Sequence, residues 1–164
     1  MDQSTPRSAP EWQIGRWFNS DRPLALADFR GRVIALHAFQ MLCPGCVQNG
    51  IPQAQRIART FDDAQVAVVG LHTVFEHHAA MTPVALAAFL HEYRLTFPVG
   101  VDRPAANGPI PQTMAAYGIQ GTPTLILIDR WGRLRKQTFG TEDDMRVGAD
   151  IAFLLAEQEH TDDP

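Results

Sequence analysis

Two cysteines, a single lysine beside thirteen arginines, and two tyrosines are all that this 164-residue chain carries of those types. Its fourteen basic residues are outnumbered by eighteen acidic ones, and the net charge of -4 gives no general attraction to nucleic acid or anionic lipid. No stretch approaches the ~20 apolar residues of a membrane-spanning helix. The start, Met1-Asp2-Gln3-Ser4-Thr5-Pro6-Arg7, lacks the apolar core of a secretory signal. There is no internal repeat and no second cysteine pair, so neither a disulfide framework nor a four-thiolate zinc site can be built. These absences lead to the expectation of a cytoplasmic domain with no membrane span and no nucleic-acid partner.

What is present suits one folded domain: 45% of residues are hydrophobic, enough for a core that needs no staples. Residues 1–11 read as a flexible N-terminal tail, 12–158 as the domain and 159–164 as a C-terminal tail. Trp12 to Phe18 and Leu24 to Phe29, around Ser20-Asp21-Arg22-Pro23, predict a short hairpin or a strand and turn. Val33 to Phe39 and Val66 to Leu71, apolar and without alternation, predict buried strands. Helical spacing runs from Val47 to about Phe61, with a kink or break expected where Gly50 and Pro52 interrupt it. Thr82-Pro83 opens a helix to Tyr93, Phe97 to Val101 is a short strand, and a short helix lies around Thr113 to Tyr117. The strands Leu125 to Ile128 and Leu134 to Phe139 follow. A final helix is expected to be capped by Thr141, with the acids Glu142, Asp143 and Asp144 in its first turn. The whole reads as an α/β fold with a mixed sheet flanked by helices.

Both cysteines stand together as Cys43-Pro44-Gly45-Cys46, between the first buried strand and a helix start. Thiols at this spacing can close and reopen a disulfide without a domain rearrangement. Helix-terminal amides, those of Gly45 and Cys46, favour a thiolate at Cys43, whereas Cys46 inside the first turn is more enclosed. The asymmetry assigns attack to Cys43 and resolution to Cys46. The bland alternative is half of a structural zinc site, for which His72, Glu76, His77 and His78 are the other available ligands. Gly121-Thr122-Pro123-Thr124, ahead of a strand, is by itself only a boundary device.

The two motifs together resemble the thioredoxin fold. The segments Leu24 to Phe39 and Tyr117 to Thr124 are similar to TlpA-like thiol-disulfide oxidoreductases and the related AhpC/TSA redoxins. The resemblance implies an N-terminal strand or hairpin extension and an extra βα insertion between the Cys-x-x-Cys and cis-proline motifs. It implies that Pro123 is a cis-proline facing the dithiol and that Thr122 pairs with an extended substrate segment. The substrate would be a disulfide-containing protein or small thiol compound, with a separate reductant and no cofactor or metal. The chain departs from the family's pattern in four places. Leu42 replaces the usual tryptophan, so the flat aromatic border is expected to be missing; the inner dipeptide is Pro44-Gly45; Pro52 falls one position late, implying a shifted helix register; and His37 occupies a place where relatives carry a buried Asp or Asn.

His37 is either a core histidine or an acceptor for the proton of Cys46 during resolution. Gln40 and Glu76 are weaker candidates for the site rim. Two other functions compete with the oxidoreductase: a thiol peroxidase and a redox-sensing binding module without turnover. In peroxiredoxins a Thr three positions and a Pro seven positions before the cysteine belong to the site, and here those positions hold Gln40 and Leu36.

Overall fold

Val33–Phe39 (β3) forms the axis of the molecule, and every one of its seven residues is buried. The computed structural model describes residues 6–158, so residues 1–5 of the first tail and the whole of the second, 159–164, lie outside the described residues. β3 pairs in parallel with β4 (Val66–His72) and antiparallel with β6 (Thr124–Ile128). β4 pairs in parallel with β5 (Val99–Asp102), β6 pairs antiparallel with β7 (Arg133–Phe139), and β2 (Ile14–Phe18) and β1 (Arg7–Ser8) close the two edges. The spatial order is β1-β7-β6-β3-β4-β5-β2, a mixed seven-stranded sheet.

Alternation along the strands divides the core between two faces. Val33 and Ala35 pack with Ala54 and Ile57 of α1 (Ile51–Thr60) and with Val147, Ile151 and Leu154 of α4 (Asp144–Ala156). Phe39 continues that face, with Leu86 and Leu90 of α2 (Pro83–Glu92). Ile34, Leu36 and Ala38 face the other way, toward Met114 and Tyr117 of α3 (Gln112–Tyr117), Trp12, Leu26 and Phe29. Helices therefore flank both faces. The stretch between the cysteines and Pro123 holds α1, β4, α2, β5 and α3, in keeping with the expected insertion.

The expectation of a flexible tail over residues 1–11 needs correction at residues 7–11. Residues 7–11 are not loose: Arg7 and Ser8 pair with Leu134 and Arg133, the Ala9 amide donates to Gly132, and the Tyr117 hydroxyl donates to the Pro10 carbonyl. Of the two forms expected for 12–29, a hairpin or a strand and turn, the strand and turn is the one found. Ile14–Phe18 pairs with β5, far away in sequence, while Leu26–Phe29 is a 3₁₀ turn that buries Leu26 and Phe29, three residues apart and thus on one side. At α4 the cap is Asp143, whose carboxylate accepts from the amides of Met145 and Arg146, and Thr141 lies outside the helix. Asp102 ends β5 as a buried carboxylate that accepts from Thr73 Oγ1 and the amides of Thr113 and Met114, so it caps α3 from a neighbouring strand.

Candidate active site

Parallel pairing brings the carboxyl ends of β3, β4 and β5 to one edge, where chain leaving a strand enters a helix start. The two cysteines stand there as a disulfide with Cα atoms 5.2 Å apart. Cys46 is fully buried and Cys43 is half-buried. The Cys46 amide donates to Cys43 Sγ at 3.2 Å, so the expected helix-terminal donor does reach the outer sulfur. Pro44 has no amide to offer and is exposed.

The helix does not break after the cysteines. Cys46–Gly50 forms a wide π turn, in which the Ile51 amide reaches the Cys46 carbonyl, and α1 continues from it. A π turn takes up one extra residue, which is what the late position of Pro52 requires. Pro52, lacking an N–H, sits in the first turn of the following α-helix.

The Thr122–Pro123 peptide bond is cis, and the Thr122 carbonyl lies 3.4 Å from Cys43 Sγ. Two glycines let the helix start lie against this proline. A Cβ on Gly45 would come within 3.2 Å of Pro123 Cδ, and one on Gly50 within 2.9 Å of Pro123 Cβ. Gly50 is thus a site residue that the sequence reading took for a helix breaker. Its position four residues after Cys46, on the same helix face, was the available signal.

An aromatic border is present after all, supplied by a different strand. Phe139 ends β7 with 58% of its surface exposed, and its ring rests on Gly121, where a Cβ would meet Phe139 Cε2 at 2.9 Å. The Gly140 amide donates to the Pro123 carbonyl at 2.8 Å and ties this strand end to the proline loop. On the cysteine side stands Leu42, 57% exposed. Phe139 faces Thr124 across the β6–β7 pair, and its place beside the proline loop follows from that register.

His37 shares the sheet face of Ala35 and Phe39, and Phe39 belongs to the same buried cluster as Cys46 and Ile51. The structure therefore places it beneath the helix that carries the buried cysteine. Its Nε2 is buried without a hydrogen-bond partner, and burial pushes its pKa down to about 4, leaving the ring neutral. His72, whose ring centroid lies 5.1 Å from that of Phe39, has the same unpartnered Nε2 and the same shift to about 4, again from burial.

Gln40 and Glu76 do meet: the buried Gln40 amide donates to Glu76 Oε1 at 3.5 Å and accepts from the Phe75 amide at 3.2 Å. His77 and His78 are exposed, and among the described residues no three His, Cys, Asp or Glu side chains gather as a metal site. The acids at α4 do more than cap. Gln53 Nε2 donates to Glu142 O and Asp144 Oδ1, and Arg56 Nε pairs with Asp144 Oδ2 at 2.6 Å, so α1 is braced against α4. Those hydrogen bonds, Arg56 foremost, hold the Asp144 carboxyl below the usual carboxylate range.

Among solved structures, the chain aligns with a thioredoxin-like superfamily protein at TM-score 0.91 and 59% identity, covering 93% of this chain and 98% of that one. A thiol-disulfide isomerase from Corynebacterium glutamicum aligns at TM-score 0.88 and 48% identity, covering 92% and 98%. The thiol-disulfide oxidoreductase ResA of Bacillus thuringiensis is 26% identical over 121 residues, 74% of this chain and 62% of ResA. The chain spans less than two thirds of the length of the curated relatives it matches first, from 19% to 62%. The AhpC/TSA family pattern matches residues 7–137, the greater part of the chain. On a thioredoxin-like fold and with a family match of that extent, this chain belongs to the AhpC/TSA family.

Proposed function

We propose that the protein is a thiol-disulfide oxidoreductase in which Cys43 attacks and Cys46 resolves. The observation that carries this reading is the Cys43–Cys46 disulfide at a helix start, one sulfur reachable and the other enclosed, against the cis-proline Pro123. The similarity to a thiol-disulfide isomerase and to ResA supports it.

In the reducing direction the Cys43 thiolate attacks one sulfur of a substrate disulfide. A Cys43–substrate bond forms as the substrate S–S bond breaks, and the second substrate sulfur leaves as a thiolate that takes a proton from water. Cys46, giving up its proton, then attacks Cys43 Sγ. The mixed disulfide breaks, the first substrate sulfur departs as a thiol, and the Cys43–Cys46 disulfide is restored. Two electrons have passed to the substrate, and an external dithiol returns them. Cys43 is stabilised as thiolate by the Cys46 amide and the helix start. Pro123 presents no amide, which leaves the Thr122 backbone open to an extended substrate segment. His37, beneath the helix that carries the buried cysteine and with its Nε2 unpartnered, is the nearby acceptor proposed for the Cys46 proton, and its lowered pKa makes it a weak base that passes the proton on at once. The substrate is a protein or small-molecule disulfide. The cytoplasm is the compartment in this reading, checked by fractionation with thiol trapping.

The test is reduction of a disulfide-bearing protein such as insulin by wild type, Cys43→Ser and Cys46→Ser, beside a peroxide-consumption assay. Wild type reduces the disulfide, Cys43→Ser is inactive, and Cys46→Ser accumulates a mixed disulfide at Cys43. Peroxide turnover without disulfide exchange overturns the reading in favour of the peroxidase. Binding without either turnover overturns it in favour of a redox sensor.

A further inference from the structure

An exposed large aromatic ring near a reactive group needs a reason, and Phe139 is 58% exposed with its ring against a glycine. Its ring lies on the backbone of Gly121, one residue from Thr122, and Thr122 O is 3.4 Å from Cys43 Sγ. Gly121 has no side chain, and a Cβ there would stand 2.9 Å from the ring, so the resting place exists only because this residue is glycine. The hydrogen bond from Gly140 to Pro123 O fixes the strand end that carries the ring relative to the proline. Leu42, the residue before Cys43, is also exposed. Leu42, Pro44, Thr122 and Phe139 carry no charge.

From this geometry we infer that Phe139 is a specificity-determining residue: it contacts a large apolar side chain flanking the cysteine of an extended disulfide-bearing peptide. The inference rests on the oxidoreductase reading, and deepens it by naming the substrate class. A segment added as a strand along Thr122 places its cysteine at Cys43, and its backbone then passes over Gly121, where the ring stands. Leu42, Pro44, Thr122 and Phe139 give no ion pair with which to select a charged neighbour, so at these four residues apolar burial supplies the discrimination. Covering part of a phenylalanine and an aliphatic side chain is worth a preference on the order of 10-fold in kcat/KM.

The experiment compares wild type, Phe139→Ser, Phe139→Leu and Gly121→Ala on two peptide disulfides, identical except for Leu or Ser beside the cysteine. Each rate is referred to that on 2-hydroxyethyl disulfide, which is too short to reach the ring. Wild type prefers the Leu peptide by ~10-fold, expressed in KM more than in kcat. Phe139→Ser brings the ratio near unity, Phe139→Leu retains part of it, and Gly121→Ala lowers it by displacing the ring without changing it. An unchanged ratio in Phe139→Ser, or a fall shared equally by all three disulfides, overturns the inference. So does a loss of dimer on sizing with the ratio intact, which would make the ring a contact between copies. A wild type inactive on every disulfide instead overturns the oxidoreductase reading itself.

Discussion

Acidification from about pH 7 to about pH 5 is expected to weaken the oxidised protein through two histidines. His37 and His72 are buried as neutral rings, with pKa values of about 4 against an ordinary 6.5. Because the folded pKa is depressed, the unfolded chain binds more protons than the folded one between those values, so stability falls as pH falls. The loss begins near the unfolded pKa and is complete only below the folded one. Within the window each histidine contributes a slope approaching ~1.4 kcal/mol per pH unit. Down to pH 5 that integrates to roughly 2 kcal/mol per histidine and roughly 4 for both, a large part of a typical domain's stability. Asp28 and Asp144 have their carboxyls held below 3.8 by Arg22 and Arg56, and their contributions are lost only at lower pH. The disulfide keeps both thiols from titrating. Urea denaturation at a series of pH values, on wild type, His37→Asn, His72→Asn and the double variant, reads the slope independently of any constant cost of substitution. Each single variant should lose about half of it. A double variant with the wild-type slope would refute the reasoning, since the missing protons would then belong to other groups.

Gly50→Ala places a methyl 2.9 Å from Pro123 Cβ and should cost about 1–3 kcal/mol as overpacking while slowing disulfide exchange. Gly148→Ala in α4, where a Cβ meets nothing within 4 Å, should instead stabilise by up to ~1 kcal/mol, and thermal melts of the pair separate packing from helix propensity. Asp102→Ala removes the acceptor of three hydrogen bonds and leaves the Thr113 and Met114 amides unpaired, which should cost ~3 kcal/mol in denaturant titration. Hydrogen exchange should show the loss concentrated at the start of α3.

The buried strands were legible because period and burial speak through a single residue type: Val33 to Phe39 was expected and found with the same ends. Thr82-Pro83 likewise announced α2, since a hydroxyl acceptor and a proline with no amide to lose both suit a helix start. Ile14–Phe18 was expected as a strand, but its partner β5 was not, because no local signal reveals pairing across more than eighty positions. Asp143 displaced Thr141 as cap because adjacent acceptors compete for the same amides, and only the backbone path decides between them. At the site, the cysteines were readable from spacing, and Pro123 only from the family resemblance that the two motifs carry together. Gly50 and Phe139 were not, because each is defined by what it touches: a glycine looks the same whether it loosens a helix or admits a proline ring.

The π turn over Cys46–Gly50 has a consequence for how this helix tolerates change in length. One residue of an α-helix corresponds to about 100° of rotation. Removing a residue such as Asn49 would restore an ordinary ladder and leave both ends in phase, whereas a deletion farther along α1 would swing Ala54 and Ile57 away from Val33 and Ala35, the side chains that seat α1 on the sheet. The chemistry at the front of the helix and the packing behind it thus keep separate phases, joined by one wide turn that acts as a phase corrector. Sequence alignment through this segment has to place its gap inside Cys46–Gly50, because only there can a residue come or go without disturbing either the disulfide or the core.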